Sequence, residues 1–434
     1  MSQTPSEIPR PTPLRDQPFP EIPAHLTPTP SPLGVTTGTI TGHLELGIAL
    51  KVTYRLKGSG QPQLAEEQIP LSLANRPHDE LVPGGQPSMK EVPEVLAYSS
   101  GTDLIVRAHA RPPHPVAGMK VGVVVGNLRH YAKVSGVRYV DREGDRLVFT
   151  PPEPFEAMPL RYELAYGGVD QDFESMVAES AKGNAKPEDL RRISAVAKDF
   201  LRAVPPVAYP RNTYGKGYAM VADEQTIVGK ELPNIELAED RLTPDRLWPS
   251  DPLRWMEMPV PAGFDYMDVG LFPRTAMMGL PPMAEGNMDQ IPEVLSGQVP
   301  AGFCRGNMMY AEREEIPGLI HPELARCAPI GLRLPFLRGD ERITLYGMDP
   351  AEPVMGVHLP GIRPVFHLPQ WGPSGRDQEL DSQLYHTFVD VDERLLSLVW
   401  SARIPWLKPL KPGEDQEIAS RIRVRNLHFG PSTI

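Results

Sequence analysis

Cysteine is almost missing from this chain: 434 residues contain two, Cys304 and Cys327. So few cannot staple a small secreted domain, and no Cys-x-x-Cys pair offers the spacing of a zinc finger. Long apolar runs are missing too, since no stretch approaches the ~18 residues of a membrane-spanning helix. The opening MSQTPSEIPRPTP lacks the basic segment and apolar core of a secretion signal, so a reducing cytoplasm is the expected setting. Nor is there an excess of positive charge: 44 Lys and Arg face 55 Asp and Glu, a net of −11. Nucleic-acid binding needs a surface that neutralises phosphate, so no nucleic-acid partner is expected.

Recognisable catalytic patterns are equally scarce. The Gly215-Lys216-Gly217 triplet lacks the Lys-Ser/Thr ending and following helix of a phosphate cradle, and reads as a structural turn. No Gly-x-Ser-x-Gly elbow exists. Cys304, beside Arg305 in GFCRGN, is the nearest approach to an activated thiol and is expected to be inert. The eleven histidines are scattered, and the closest pair, His109 and His114, is separated by ARPP, which breaks any element joining them. Their spacing predicts no metal site and no cofactor. Fifty-five acids guarantee accidental carboxylate pairs, so acid pairs alone do not argue for glycoside hydrolysis.

Proline is what the chain has in abundance: 52 residues, more than twice the usual ~5%. Helix interiors cannot absorb that many, so a mainly β, α+β fold rich in loops and edge strands is expected. Residues 1–35 form a Pro-rich arm suited to extended polyproline II, either exposed or laid on a partner. Residues 36–170 read as an antiparallel sheet or sandwich. Its clearest strand spans His43 to Leu56, with Leu44, Leu46, Ile48, Leu50, Val52, Tyr54 and Leu56 on one face and Glu45, Lys51, Thr53 and Arg55 on the other. Further strands are expected over 103–108, 119–125, 131–140 and 146–150.

Residues 171–330 form a loop-rich, partly helical middle. Its best helix places Leu190, Ile193, Ala197, Phe200 and Leu201 on one face. Strand periodicity returns in 331–405, at 342–348, at 354–359 and in HTFVDVDERLLSLVW, which reads as two strands around an Asp392-Glu393 turn. The extension 406–434 carries SRIRVRN, whose Arg421, Arg423 and Arg425 would share a strand face opposite Ile422 and Val424, as an edge strand or a docking arm. No fixed-period repeat is present, which argues against a solenoid.

Two phrases combine shape-fixing residues with aromatics. In PLRYELAYGG, strand alternation puts Tyr162, Leu164 and Tyr166 on one face and Arg161 and Glu163 on the other, before a Gly167-Gly168 turn. In RNTYGKGY, Asn212 and two glycines make a tight loop expected to present Tyr214, Lys216 and Tyr218 to a protein partner. Flexible methionines, including Met277, Met278, Met308 and Met309, suit a second adaptable binding surface.

These phrases belong to an ordered series: KVTYRL at 51–56, EEQIPLSL at 66–73, GTDLIVRAHA at 101–110 and EPFEAMPLRYELAYGG at 153–168, then RNTYGKGY and LPNIE. PAGF, FPR, FLRGDERITLYGMDP, HLPGIRP and FVDVDERLLSLVW follow, the last ending at Trp400. Over about 40–402 the series resembles domain of unknown function family 2169, bacterial proteins that accompany type VI secretion genes. It departs from the family pattern at Cys327-Ala328-Pro329, which IGLRL follows, and at Phe272, where a tryptophan is usual.

The resemblance implies a cytoplasmic, non-catalytic adaptor or chaperone. Such a protein binds a toxic effector and helps load it onto the type VI spike, made of a trimeric spike protein and its proline-alanine-alanine-arginine-repeat tip. The alternatives are a structural component of the contractile assembly and a cryptic carbohydrate-active enzyme.

Overall fold

The computed structural model describes residues 33–40, 43–79, 87–96, 99–184, 208–209, 211–219, 226–247, 257–267, 326–371, 375–408, 410–411 and 413–428. The Pro-rich arm up to residue 32, the helix expected around 187–201, and Met277, Met278, Cys304, Met308 and Met309 lie outside them.

The alternation that opens at His43 produces strand β2 (His43–Arg55), which pairs with β1 (Leu33–Ile40) on one side. Its other neighbour comes from the far end of the chain: β13 (Leu395–Pro405), in a register from Glu45↔Pro405 to Arg55↔Leu395. β12 (Gln383–Asp390), β3 (Thr102–Arg107) and β7 (Arg333–Leu334) complete sheet one in the order β1-β2-β13-β12-β3-β7, with Gln63–Leu64 as a short addition on β2. The β12–β3 pairing is parallel; the others are antiparallel. The turn expected at Asp392-Glu393 joins β12 to β13, with Arg394 at φ 57° and the Glu393 N–H bound to Asp390 Oδ1 at 2.9 Å.

Sheet two has the order β6-β5-β4-β8-β9, built from β4 (Gly118–Val125), β5 (Leu128–Ser135), β6 (Ile235–Leu237), β8 (Arg342–Tyr346) and β9 (Val354–His358). The two β regions that the sequence separates by a long middle segment therefore contribute strands to both large sheets. Sheet three joins β11 (Arg376–Asp381), β10 (Ile362–Trp371) and β14 (Arg423–His428) in that order. The architecture is mainly β, as the proline content and strand periodicity predict. No helix among the described residues is long and apolar enough to cross a membrane.

The even-numbered face of β2 divides between two cores. Tyr54 joins Val123, Leu345 and Leu398 between sheets one and two, while Leu46 and Ile48 join Phe366, Leu368 and Trp371 of sheet three. Helix α2 (Glu414–Arg421) closes the second core with Ile418, its acidic first turn and Arg421 in its last turn matching the helix dipole. The odd-numbered face was expected to be polar and solvated. Instead Lys51 and Thr53 are buried beneath a cover that includes Leu71, Val95 and Leu96.

Other local expectations are corrected. The strand read over 131–140 breaks after Ser135, where a side chain on Gly136 would sit 1.7 Å from the Glu153 carbonyl oxygen. Val140–Glu143 and Arg146–Phe149 then form a separate hairpin. In the C-terminal extension Arg421 ends helix α2, so only Arg423 and Arg425 lie on strand β14. The middle segment opens with an unanticipated helix, α1 (Gln171–Ala181), whose start is capped by Asp170 Oδ1 accepting from the Phe173 N–H at 3.1 Å.

Phe366 is fully buried where sheet three meets sheet one. Truncation to Phe366→Ala is expected to cost ~3–5 kcal/mol, measured by urea denaturation. A cost under about 1 kcal/mol would mean that sheet three is not docked on sheet one through this side chain.

Candidate functional site

The phrase PLRYELAYGG does not form the strand its alternation predicts. Tyr162–Leu164 is a turn of 3-10 helix; Pro159 pairs with His109 before it, and after it Tyr166–Gly167 pairs in parallel with Lys216–Gly217. A strand would send Tyr162 and Glu163 to opposite faces, whereas both are buried here. Glu163 accepts from the Ser88 N–H at 2.6 Å and the Ser88 hydroxyl at 2.8 Å.

Asn212 binds the two phrases together. Its side-chain amide donates to the carbonyls of Tyr162 at 2.8 Å and Tyr166 at 3.1 Å, and its backbone carbonyl accepts from the Gly168 N–H at 2.9 Å. Gly167 stands at φ 146°, and a Cβ there would lie 2.2 Å from the Asn212 carbonyl oxygen, so only glycine fits this approach. Beside the junction Tyr166, Tyr209 and Tyr218 pack, with the Tyr209 ring 5.1 Å from each of the other two. Burial pushes the Tyr209 hydroxyl up to about 12, and it donates to the Pro259 carbonyl at 3.2 Å.

The expectation that this loop presents Tyr214, Lys216 and Tyr218 outward is therefore corrected. Tyr214 is 8% and Tyr218 0% exposed, because Tyr214 joins the main core and Tyr218 packs against Tyr166 and Tyr209. Lys216 is half-buried and ion-paired with Glu231.

A charged cluster unforeseen in the sequence lies where three other phrases meet. Asp390 of FVDVDER and Arg107 of GTDLIVRAHA are register partners in the parallel β12–β3 pair. Arg107 donates through Nε to Asp265 Oδ2 at 2.8 Å and through Nη2 to Oδ1 at 3.1 Å; Asp265 directly follows PAGF. The guanidinium lies 4.8 Å from the Phe388 ring centre and 3.9 Å from Asp390. His78 approaches Asp265 at 3.4 Å. Toward the surface, Asp392 pairs with His109 at 2.8 Å and Arg111 at 3.3 Å.

Burial alone would raise the Asp265 carboxyl, but Arg107 and His78 outweigh it and hold it below the ordinary aspartate range. Asp390 goes the other way: burial raises it, and its more distant Arg107 contact does not compensate. The cluster thus carries one carboxyl held below the ordinary aspartate range and one pushed above it. Arg107 fills the space between them.

A third cluster sits further along the same sheet face. Asp103 Oδ1 accepts from Arg326 Nε at 2.5 Å, and its Oδ2 accepts from the Cys327 N–H at 2.7 Å and the Cys327 thiol at 3.4 Å. Potential ligand atoms of Asp103, Cys327 and His386 all lie within 4.8 Å of one another. The sequence spacing predicts no metal site; here the fold assembles a group that could hold one, from three residues far apart in the chain.

Charged side chains in all three places hold the frame, and the molecule is a β scaffold whose sequence phrases meet at buried polar junctions. The chain belongs to a family described as uncharacterized protein conserved in bacteria, DUF2169, whose model matches residues 41–401. All three junctions lie within that range, whereas α2 and β14 lie beyond it. No curated protein and no solved structure matches the chain.

Removing the guanidinium by Arg107→Leu is expected to cost ~3–5 kcal/mol at neutral pH, because it strands Asp265 in the interior. In the wild type the folded Asp265 value lies below the ordinary 3.8, so its stabilisation is present above 3.8 and lost as pH falls through the folded value. In the variant, burial without the counter-charge raises the carboxyl, and stability should increase as pH falls from about 7 toward 4. Urea denaturation across that range checks the sign; a variant that does not gain stability in acid would contradict the pairing.

Proposed function

We propose that this protein is a non-catalytic adaptor or chaperone that works in the bacterial cytoplasm. It binds a toxic effector and helps load it onto the type VI secretion spike, the trimeric spike protein with its proline-alanine-alanine-arginine-repeat tip. The observation that carries this reading is the commitment of the motif polar groups to the frame. Glu163 is held by Ser88, Asp265 by Arg107, Asp103 by Arg326 and Lys51 by Glu94. The ordered phrases from Lys51 to Trp400, which resemble a family found beside type VI secretion genes, supply the biological context.

Strand β11 offers a means of contact. It hydrogen-bonds to β10 on one side, forms one edge of sheet three, and most of its side chains are exposed. An edge that no described strand pairs with accepts an extended partner segment by strand addition, and its charges limit unselective pairing. A carbohydrate-active enzyme needs two carboxylates facing across space that a substrate can enter. At the Asp265–Asp390 pair Arg107 occupies that space, which favours the scaffold reading.

Co-expression with the proteins encoded beside it, followed by affinity purification, tests the proposal. An effector or spike protein is expected to co-purify in fixed stoichiometry, and Gln378→Pro in β11 is expected to reduce its recovery. Recovery of the folded protein alone would contradict the adaptor reading. Its persistence in purified sheath-bearing particles would favour a structural component instead.

A further inference from the structure

The group formed by Asp103, Cys327 and His386 has the composition and placement of a buried metal site. We propose that it binds one zinc ion, through Asp103 Oδ2, the Cys327 thiolate and an imidazole nitrogen of His386, with a solvent oxygen in the fourth position. All three side chains are buried, at 1%, 0% and 2% exposure. A thiolate with an imidazole selects zinc over magnesium or calcium, which prefer all-oxygen sites.

The backbone is arranged to bring these groups together. Asp103 and His386 are register partners on adjacent parallel strands, so their side chains stand side by side. His386 reaches that face through an irregularity: β12 pairs Leu384 with Trp400 and then His386 with Val399, which places an extra residue, Tyr385, in the strand. Without this bulge His386 would point with Leu384 into the core between sheets one and two. Bulges that re-aim a side chain recur beside functional sites.

The distances fit a contracted coordination sphere. Zinc bonds of about 2.0–2.3 Å place two tetrahedral ligands about 3.5 Å apart. The Cys327 sulfur and Asp103 Oδ2 already stand at 3.4 Å. The widest separation within the group, up to 4.8 Å, closes by about 1 Å on binding.

Arg326 holds Asp103 through the other carboxylate oxygen and leaves Oδ2 directed at Cys327, the orienting role that outer partners play around metal ligands. Carboxylate and thiolate together carry two negative charges against one guanidinium, a net attraction for a divalent cation. Coordination displaces the Cys327 thiol proton to solvent. The ion ties β3, β12 and the Arg326–Ala328 segment, which arrive from separate parts of the chain.

The experiment uses full-length protein loaded with zinc chloride, dialysed against metal-free buffer and assayed by atomic emission. About one zinc per chain is expected, with affinity reduced tenfold or more in Cys327→Ser and in His386→Gln, both checked for folding by circular dichroism. Cobalt loading provides a second readout: a thiolate-to-cobalt absorption band in the wild type and in Cys304→Ser, and none in Cys327→Ser. If Cys327→Ser does not fold, His386→Gln and the wild-type cobalt spectrum decide. A wild-type protein that retains no zinc, or a Cys327→Ser protein that retains as much as the wild type, overturns the proposal.

Discussion

Sheet one buries both of its faces, and one of those faces is polar. Its apolar face meets sheets two and three in the ordinary way. The other carries Lys51, Thr53, Asp103 and Asp390, with Ser397 and His386, all buried, and Arg107 nearly so. Such a face folds inward only if its charges find partners, and three of them meet a counter-charge on the covering layer. Glu94 supplies one to Lys51 at 2.9 Å, Asp265 one to Arg107 at 2.8 Å, and Arg326 one to Asp103 at 2.5 Å. These pairs determine where the segments around residues 94, 265 and 326 must lie. Three stretches with little regular structure of their own are thereby fixed on the sheet.

The same constraint links distant parts of the chain. β2 and β13 come from opposite ends of the family-matched range and pair from Glu45↔Pro405 to Arg55↔Leu395, so neither region completes a sheet by itself. Closing so long a loop is slow relative to local contacts, although its entropic cost grows only logarithmically with length. The C-terminal extension belongs to this closed structure, because α2 adds Ile418 to the core around Phe366 and β14 pairs with β10.

Much of this frame is legible in the residues. The period of two from His43 onward, the hairpin around Asp392-Glu393, and the strands at 118–125, 342–346 and 354–358 follow from alternation and turn chemistry. Burial of the second face does not follow, because Lys51 and Thr53 look solvated until Glu94 and the cover are in place. Tyr214 and Tyr218 carry the composition of an interface anchor, and the same large rings fill a core equally well. The short turn at Tyr162–Leu164 is set by Asn212, fifty residues on, which no local period reports. Asp103, Cys327 and His386 have no shared spacing; the bulge at Tyr385 and the segment following Arg326 bring them together.

For function, this arrangement commits the phrases around Glu163, Arg107 and Asp103 to buried junctions, and the proposed adaptor role leaves recognition to edges such as β11. The account rests on the charge pairing beneath the cover of sheet one, and a double-mutant cycle at Lys51 and Glu94 tests that most directly. Lys51→Met and Glu94→Gln should each cost ~3–5 kcal/mol in urea denaturation, with the double variant recovering most of the loss, since an uncompensated buried charge costs more than the pair contributes. Single costs below about 1 kcal/mol that simply add in the double variant would contradict it.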